Sequence, residues 1–248
     1  MTYESISMNY KLLEQKLVKW LRTKVKNSKK KGIVVGLSGG VDSAVVSVLC
    51  RKAVGTKNVL CLILPCQSQK TDITDAKKVA KKFGLKTETI DLTKIYENLI
   101  GILPTADKLA QANLKPRLRM LTLYYFANKL NYIVAGTGNK SELSIGYFTK
   151  YGDGGVDILP LGDLYKSEVR GLAKYLKVPE EIITKPPTAG LWAGQTDEGE
   201  IGMTYDELEY NLKNKKPAKN KRQAQKLKNL TAAAKHKLAL PEIFSKEQ

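Results

Sequence analysis

Four short apolar runs, separated by stretches with helical spacing, restrict this chain more than any other feature of its 248 residues. They fall at residues 33–37, 59–64, 87–92 and 132–136. Each is too short for a helix, and three are too continuously apolar for a half-exposed strand, so they read as strands of a sheet covered on both faces. Helical patterns separate them. Tyr10, Leu13, Leu17, Trp20 and Leu21 recur at steps of three and four until Lys29-Lys30-Lys31-Gly32 breaks the pattern. Residues 41–53 form a second helix. Thr71 or Asp72 can cap a third, which lines up Ile73, Ala76, Val79, Ala80 and Phe83 and stops at Gly84. Met120, Leu123, Ala127 and Leu130 mark a fourth, preceded by Lys115-Pro116-Arg117. Strand–helix alternation of this kind demands right-handed crossovers, and the expectation is an α/β, Rossmann-like open parallel sheet with helices on both faces. A single domain should hold an N-terminal helix at 8–31, a sheet core at 32–176, and a loop and helical C-terminal portion at 177–248.

In such folds ligands lie beyond the carboxyl ends of the strands. Small polar residues gather there: Ser38-Gly39-Gly40 after the first strand, Pro65-Cys66-Gln67-Ser68 after the second, Thr137-Gly138-Asn139 after the fourth. The first of these joins a buried strand to a helix. Adjacent glycines let backbone N–H groups approach an anion, and the helix that follows aims its positive end at the same point. Asp42 is out of place in an anion cradle unless a cation bridges it to the phosphates. That points to a Mg²⁺–polyphosphate ligand with Asp42 as an oxygen donor. The loop matches neither GxxxxGK[ST] nor GxGxxG.

Composition closes off other classes. No run approaches the roughly 18 apolar residues of a membrane span, and the first residues lack the layout of a secretory signal. Three cysteines (Cys50, Cys61, Cys66) without a CxxC pair make no disulfide framework and indicate a reducing cytoplasm. With one histidine, His236, a histidine-rich metal centre is excluded. Lys and Arg total 42 against 24 Asp and Glu, a net +18, which favours polyanionic partners. The excess is concentrated at residues 11–31 and 211–237, whereas Asp197-Glu198-Gly199-Glu200 begins an acidic stretch.

The element Ser38-Gly39-Gly40-Val41-Asp42-Ser43 resembles the pyrophosphate-binding loop of the ATP pyrophosphatases (adenine nucleotide alpha-hydrolase-like enzymes), which activate a substrate with ATP and release pyrophosphate. Three further runs resemble the ammonia-dependent NAD synthetases within that group: Gly136-Thr137-Gly138-Asn139-Lys140-Ser141-Glu142, then Thr149-Lys150-Tyr151-Gly152-Asp153-Gly154-Gly155, then Pro187-Thr188-Ala189-Gly190-Leu191. The resemblance spans about residues 10–240. It implies that Gly36, Leu37, Ser38, Gly39, Gly40, Val41, Asp42 and Ser43, with Thr137, Lys166 and Thr188, contact ATP. Asp42 and Glu142 would hold Mg²⁺, and Lys166 would neutralise phosphate charge as pyrophosphate leaves. Arg117, Lys150, Asp157, His236 and Lys237 would hold deamido-NAD (nicotinic acid adenine dinucleotide); Arg119, an equally basic neighbour of Arg117, is left out. The implied reaction is amidation of deamido-NAD to NAD through an acyl-adenylate, with AMP and pyrophosphate released. The chain is too short for a glutaminase domain, so free ammonia is the expected nitrogen donor.

The resemblance also implies a homodimer, with no nucleic-acid or membrane partner. A tRNA-modifying ATP pyrophosphatase is the alternative. It would account for the +18 charge, but such enzymes carry an extra RNA-binding domain, and the thiolating ones add cysteines in the second half of the chain. No cysteine follows Cys66. Residues 194–203, with glycines and acids together, form a candidate lid, and the basic stretch at 213–237 could close over the substrates.

Overall fold

A computed structural model of the chain describes residues 8–192, 194–214 and 221–246. Four strands, β1 (Gly32–Gly36), β2 (Val59–Ile63), β3 (Thr87–Thr89) and β4 (Tyr132–Ala135), form one parallel sheet in the order β3-β2-β1-β4. Strand order reverses beside β1, so the turn after β1 opens onto the crevice where such sheets bind ligands. The helices are α1 (Tyr10–Asn27), α2 (Val41–Val54), α3 (Lys70–Phe83), α4 (Thr93–Ile102), α5 (Lys108–Ala112), α6 (Leu114–Leu130), α7 (Lys140–Ile145), α8 (Lys166–Tyr175), α9 (Glu180–Ile183), α10 (Asp197–Ile201), α11 (Tyr205–Asn214) and α12 (Lys221–Leu238).

Side chains alternate across the sheet with the strand period of two. Ile33, Val35, Cys61, Ile63, Ile133 and Ala135 face one core with α1, α2, α8 and α9, while Val34, Leu60, Leu62 and Val134 face a second with Tyr96 of α4 and Phe126 and Ala127 of α6. A third cluster, Ile145, Ile201, Met203, Tyr205 and Leu208, packs the C-terminal helices against α7. Cys50, Cys61 and Cys66 are buried and unpaired. Burial pushes the Cys61 thiol up to about 11, which keeps it protonated and unreactive. No helix among the described residues is long and apolar enough to cross a membrane.

Three local expectations shift. The third strand ends at Thr89 rather than Leu92; the chain then turns into α4 at Thr93, whose N–H donates to Asp91 Oδ1 at 2.8 Å. Helix α3 begins one turn early, at Lys70 after Gln69, and the Asp72 carboxylate turns to Lys185 at 2.8 Å instead of capping its own helix. Lys115, Pro116 and Arg117 lie inside the first turn of α6, where a proline is tolerated because the N–H it lacks would have no partner there.

Candidate active site

A cleft of about 450 Å³ lies over the carboxyl ends of β1, β2 and β4. One wall is the turn after β1. Ser43 Oγ donates to Gly40 O at 2.9 Å and accepts from Ser38 N–H and Ser38 Oγ, both at 3.1 Å, so the turn is cross-braced by its own hydroxyls. Gly39 has φ +88°, and a Cβ there would run into the Asp72 carbonyl; only glycine lets the turn pass so close to α3. Helix α2 starts with no side-chain cap, leaving its first N–H groups free at the cleft. That is the arrangement an anion requires.

The opposite wall is the start of α7, fixed by a capping box. Asn139 Oδ1 accepts from Glu142 N–H at 3.1 Å, and Glu142 Oε2 accepts from Asn139 N–H at 3.2 Å. The fully buried Asn139 also donates through Nδ2 to Asp42 Oδ1 at 2.9 Å, which ties the box to the glycine turn. Between the walls stands Lys166, 3% exposed, at the first position of α8. Its Nζ donates to Asp42 Oδ2 at 2.6 Å and Glu142 Oε1 at 3.2 Å, and lies 5.1 Å from the centre of the Tyr205 ring. The two carboxylates expected at the mouth of the sheet are therefore brought to one ammonium group.

Charge in this corner is shaped by burial. Desolvation disfavours the Lys166 ammonium, but Asp42 and Glu142 outweigh it and hold the group charged, above its ordinary value. Burial pushes the Glu142 carboxyl up to about 7; Lys166 opposes the shift and Asp42 adds to it. Asp197 is raised as well, by burial, against the pull of Lys166 and of the Tyr205 hydroxyl that donates to its Oδ2 at 2.9 Å.

Of the residues expected to contact ATP, Gly36, Leu37, Ser38, Gly40, Val41, Asp42, Ser43, Thr137, Lys166 and Thr188 line the cleft. Of those expected to hold deamido-NAD, only Lys237 does, with Nζ donating to Gly146 O at 2.7 Å and Phe148 O at 2.8 Å. Arg117 is exposed, with Nη2 3.5 Å from Lys150 O, and Lys150 Nζ donates to the carbonyl of the exposed His236. These four gather around residues 148–151. Asp157 sits apart, accepting from Val134 N–H at 2.7 Å and Tyr124 OH at 3.0 Å.

Several residues of the site had no role assigned from the sequence. Arg119, on the face of α6 away from Arg117, lines the cleft and donates to Leu64 O at 3.1 Å and Ser68 Oγ at 3.3 Å. Lys185 binds Asp72 and Asp75 and anchors the segment carrying Thr188 to α3. Asn139 had a signal in the sequence, the Asn-x-x-Glu spacing of a capping box; Lys185 and Tyr205 had none. Within the candidate lid, residues 197–201 form α10, and Thr196 Oγ1 accepts from Gly199 N–H. The start of the basic 213–237 stretch includes residues 215–220, which lie outside the described residues.

The family model described as NAD synthase matches residues 13–241. The NH(3)-dependent NAD(+) synthetase of Carboxydothermus hydrogenoformans is 53% identical over 210 residues, covering 83% of this chain and 86% of that protein. Among solved structures, an NMN synthetase from Francisella tularensis superposes with a TM-score of 0.88 at 40% identity, over 96% of this chain and 100% of that one. The NH3-dependent NAD synthetase from Campylobacter jejuni, in complex with the nitrate ion, superposes with a TM-score of 0.82 at 34% identity, over 96% and 100%.

Proposed function

The chain belongs to the NAD synthase family, and from that premise we infer how its cleft amidates deamido-NAD to NAD at the expense of ATP, with free ammonia as nitrogen donor. The observation that carries the reading is the meeting of Asp42 and Glu142 on Lys166 beside the uncapped start of α2. The tRNA-modifying alternative is set aside, since the similar proteins are NH(3)-dependent NAD(+) synthetases and the similar structures an NMN synthetase and an NAD synthetase. The direct test is incubation with ATP, Mg²⁺, deamido-NAD and ammonium chloride. AMP and NAD should appear in equal amounts, and neither product would form if the reading were wrong. Nicotinic acid mononucleotide should be run in parallel, because one similar structure is an NMN synthetase.

The work asked of the protein is mostly positioning and charge. The uncapped first amides of α2, beside the glycine turn, bind the polyphosphate, while Thr137 and Thr188 add hydroxyls. Magnesium takes one or two carboxylates together with phosphate oxygens, and Asp42 and Glu142 supply that donor set, answered in the chain alone by a single lysine. When bound, Mg²⁺ supplies charge neutralisation at the phosphates. Lys166 is a point charge held where negative charge grows as the nicotinate carboxylate attacks the α-phosphorus and pyrophosphate departs. Ammonia then attacks the acyl-adenylate carbonyl and AMP leaves. With its thiols buried and unpaired, the enzyme is assigned to the cytoplasm.

The deamido-NAD residues sit largely outside the cleft of one chain, and the surface near them is apolar. Leu121 is 64% exposed, and Tyr125, Tyr151, Ile95 and Ile102 are exposed as well. A surface of this kind marks an interface. The reading is a homodimer in which a second copy covers α4 and α6 and completes the site around Arg117, Lys150, His236 and Lys237. A Leu121→Glu chain should sediment as a monomer and lose most activity, whereas the parent should sediment as a dimer. A fully active parental monomer would refute the dimer.

A further inference from the structure

Among the described residues, two buried side-chain polar atoms have no hydrogen-bond partner, Ser47 Oγ and Asp197 Oδ1. The first is a hydroxyl inside the core. The second is half of a carboxylate, and an unmet buried anion is far more costly than an unmet hydroxyl. Asp197 is 4% exposed and lines the cleft. Its other oxygen accepts from Tyr205 OH at 2.9 Å, and that hydroxyl also lies 3.4 Å from Glu142 Oε1. The nearby Tyr147 hydroxyl is committed to Glu200 Oε2 at 2.5 Å, and Glu200 takes a second donor from Gln195 Nε2 at 2.9 Å. Tyr205 and Tyr147 both reach the Asp197 carboxylate and oppose its upward shift, yet neither meets Oδ1. A buried acceptor is left unmet in a residue that lines the cleft, close enough to Lys166 to feel its charge.

We propose that Asp197 is the receiving side chain for the ammonium ion, on the premise that the amidation described above is this cleft's reaction. An ion with four N–H donors can meet a carboxylate oxygen and an aromatic face at once. The same corner already holds one alkylammonium in that manner, since Lys166 Nζ lies against two carboxylates and the Tyr205 ring. No group of three His, Cys, Asp or Glu side chains among the described residues is arranged to hold a metal ion. A small hydrogen-bonding cation suits the unmet oxygen of Asp197. Helix α10 carries Asp197 on its first turn, and Thr196 Oγ1 caps that turn through Gly199 N–H, which holds the carboxylate toward the cleft.

The test is steady-state kinetics in each substrate with Asp197→Asn, which keeps the shape and removes the charge. The KM for ammonium should rise by about tenfold or more, with the KM values for ATP and deamido-NAD within about twofold of the parent. Tyr205→Phe, which strips the donor that orients Asp197, should raise the ammonium KM by about threefold and serves in its place if Asp197→Asn does not fold. An unchanged ammonium KM overturns the proposal, as does an equal rise in all three constants, which would mark Asp197 as a support for the nucleotide site. Absence of NAD formation by the parental chain would instead sink the amidation reading.

Discussion

An Asp42→Asn chain is expected to fold normally and to make NAD about a hundredfold to a thousandfold more slowly than the parent, the loss typical of removing one charged or donor group from a polarised site. The side chain sits on the first turn of α2, joined to Asn139 through Oδ1 and to Lys166 through Oδ2. Asparagine keeps the volume and one carbonyl oxygen, so the turn and the capping box of α7 should persist, and the melting temperature should move little. What disappears is negative charge. Lys166 then answers Glu142 alone, and the donor set for Mg²⁺ drops from two carboxylates to one. The loss should appear in kcat and in the KM for ATP together, because both phosphate binding and charge neutralisation draw on the same oxygen. Parental speed in this variant would remove the site assignment. An intact rate with a raised ATP KM would confine Asp42 to binding.

The sheet was readable because its signal is local. Ile33-Val34-Val35, Leu60-Cys61-Leu62 and Ile133-Val134 are buried on both faces, and continuous apolar character is what burial on both faces selects. The third strand is shorter than its pattern suggests, since Asp91 Oδ1 takes the Thr93 N–H and the chain turns there, a local contact propensity does not weigh. Helices α4 and α5, at 93–112, gave no firm pattern. Ile95 and Ile102 of α4 point to solvent in a single chain, which blurs the contrast between faces.

The site divides in the same way. The glycine turn could be derived from physics, since adjacent glycines between a strand and a helix, followed by an acid, have few other uses. Glu142 followed from its place just past the fourth strand and Lys166 from family resemblance, and their meeting with Asp42 spans 100 and 124 residues. No local pattern encodes such a distance. Asp197 is the extreme case, because its part depends on Tyr205 reaching it from the next helix. Of the two arginines on α6, resemblance singled out Arg117, yet Arg119 faces the cleft of the chain and Arg117 faces outward. Two positions apart on a helix means opposite sides, so one of the pair serves each surface.

Lys166→Ala should give the largest loss of stability. It deletes the single ammonium that answers two carboxylates and leaves them facing each other in a poorly solvated corner. Breaking a fully buried pair costs about 3–5 kcal/mol. Asp42 and Glu142 keep some contact with solvent, and Glu142 can take up a proton, so about 2 kcal/mol is the fair expectation here. For a chain of this length that corresponds to a fall of about 6 °C in melting temperature. The pH dependence fixes the cause. A carboxyl whose folded value is raised, as Glu142 is to about 7 by burial, contributes stability that is present in full below its unfolded value and is lost as pH rises through the folded one. Removing Lys166 takes away the charge that pulls Glu142 down, so the loss with rising pH should be steeper in the variant, and the gap between variant and parent should be wider at about pH 8 than at about pH 5. Magnesium chloride should narrow the gap, since the divalent ion answers the same two carboxylates that Lys166 answered. A variant that melts with the parent at every pH would mean that the lysine contributes nothing to the fold, and that its ion pairs with Asp42 and Glu142 only offset the penalty of burying them.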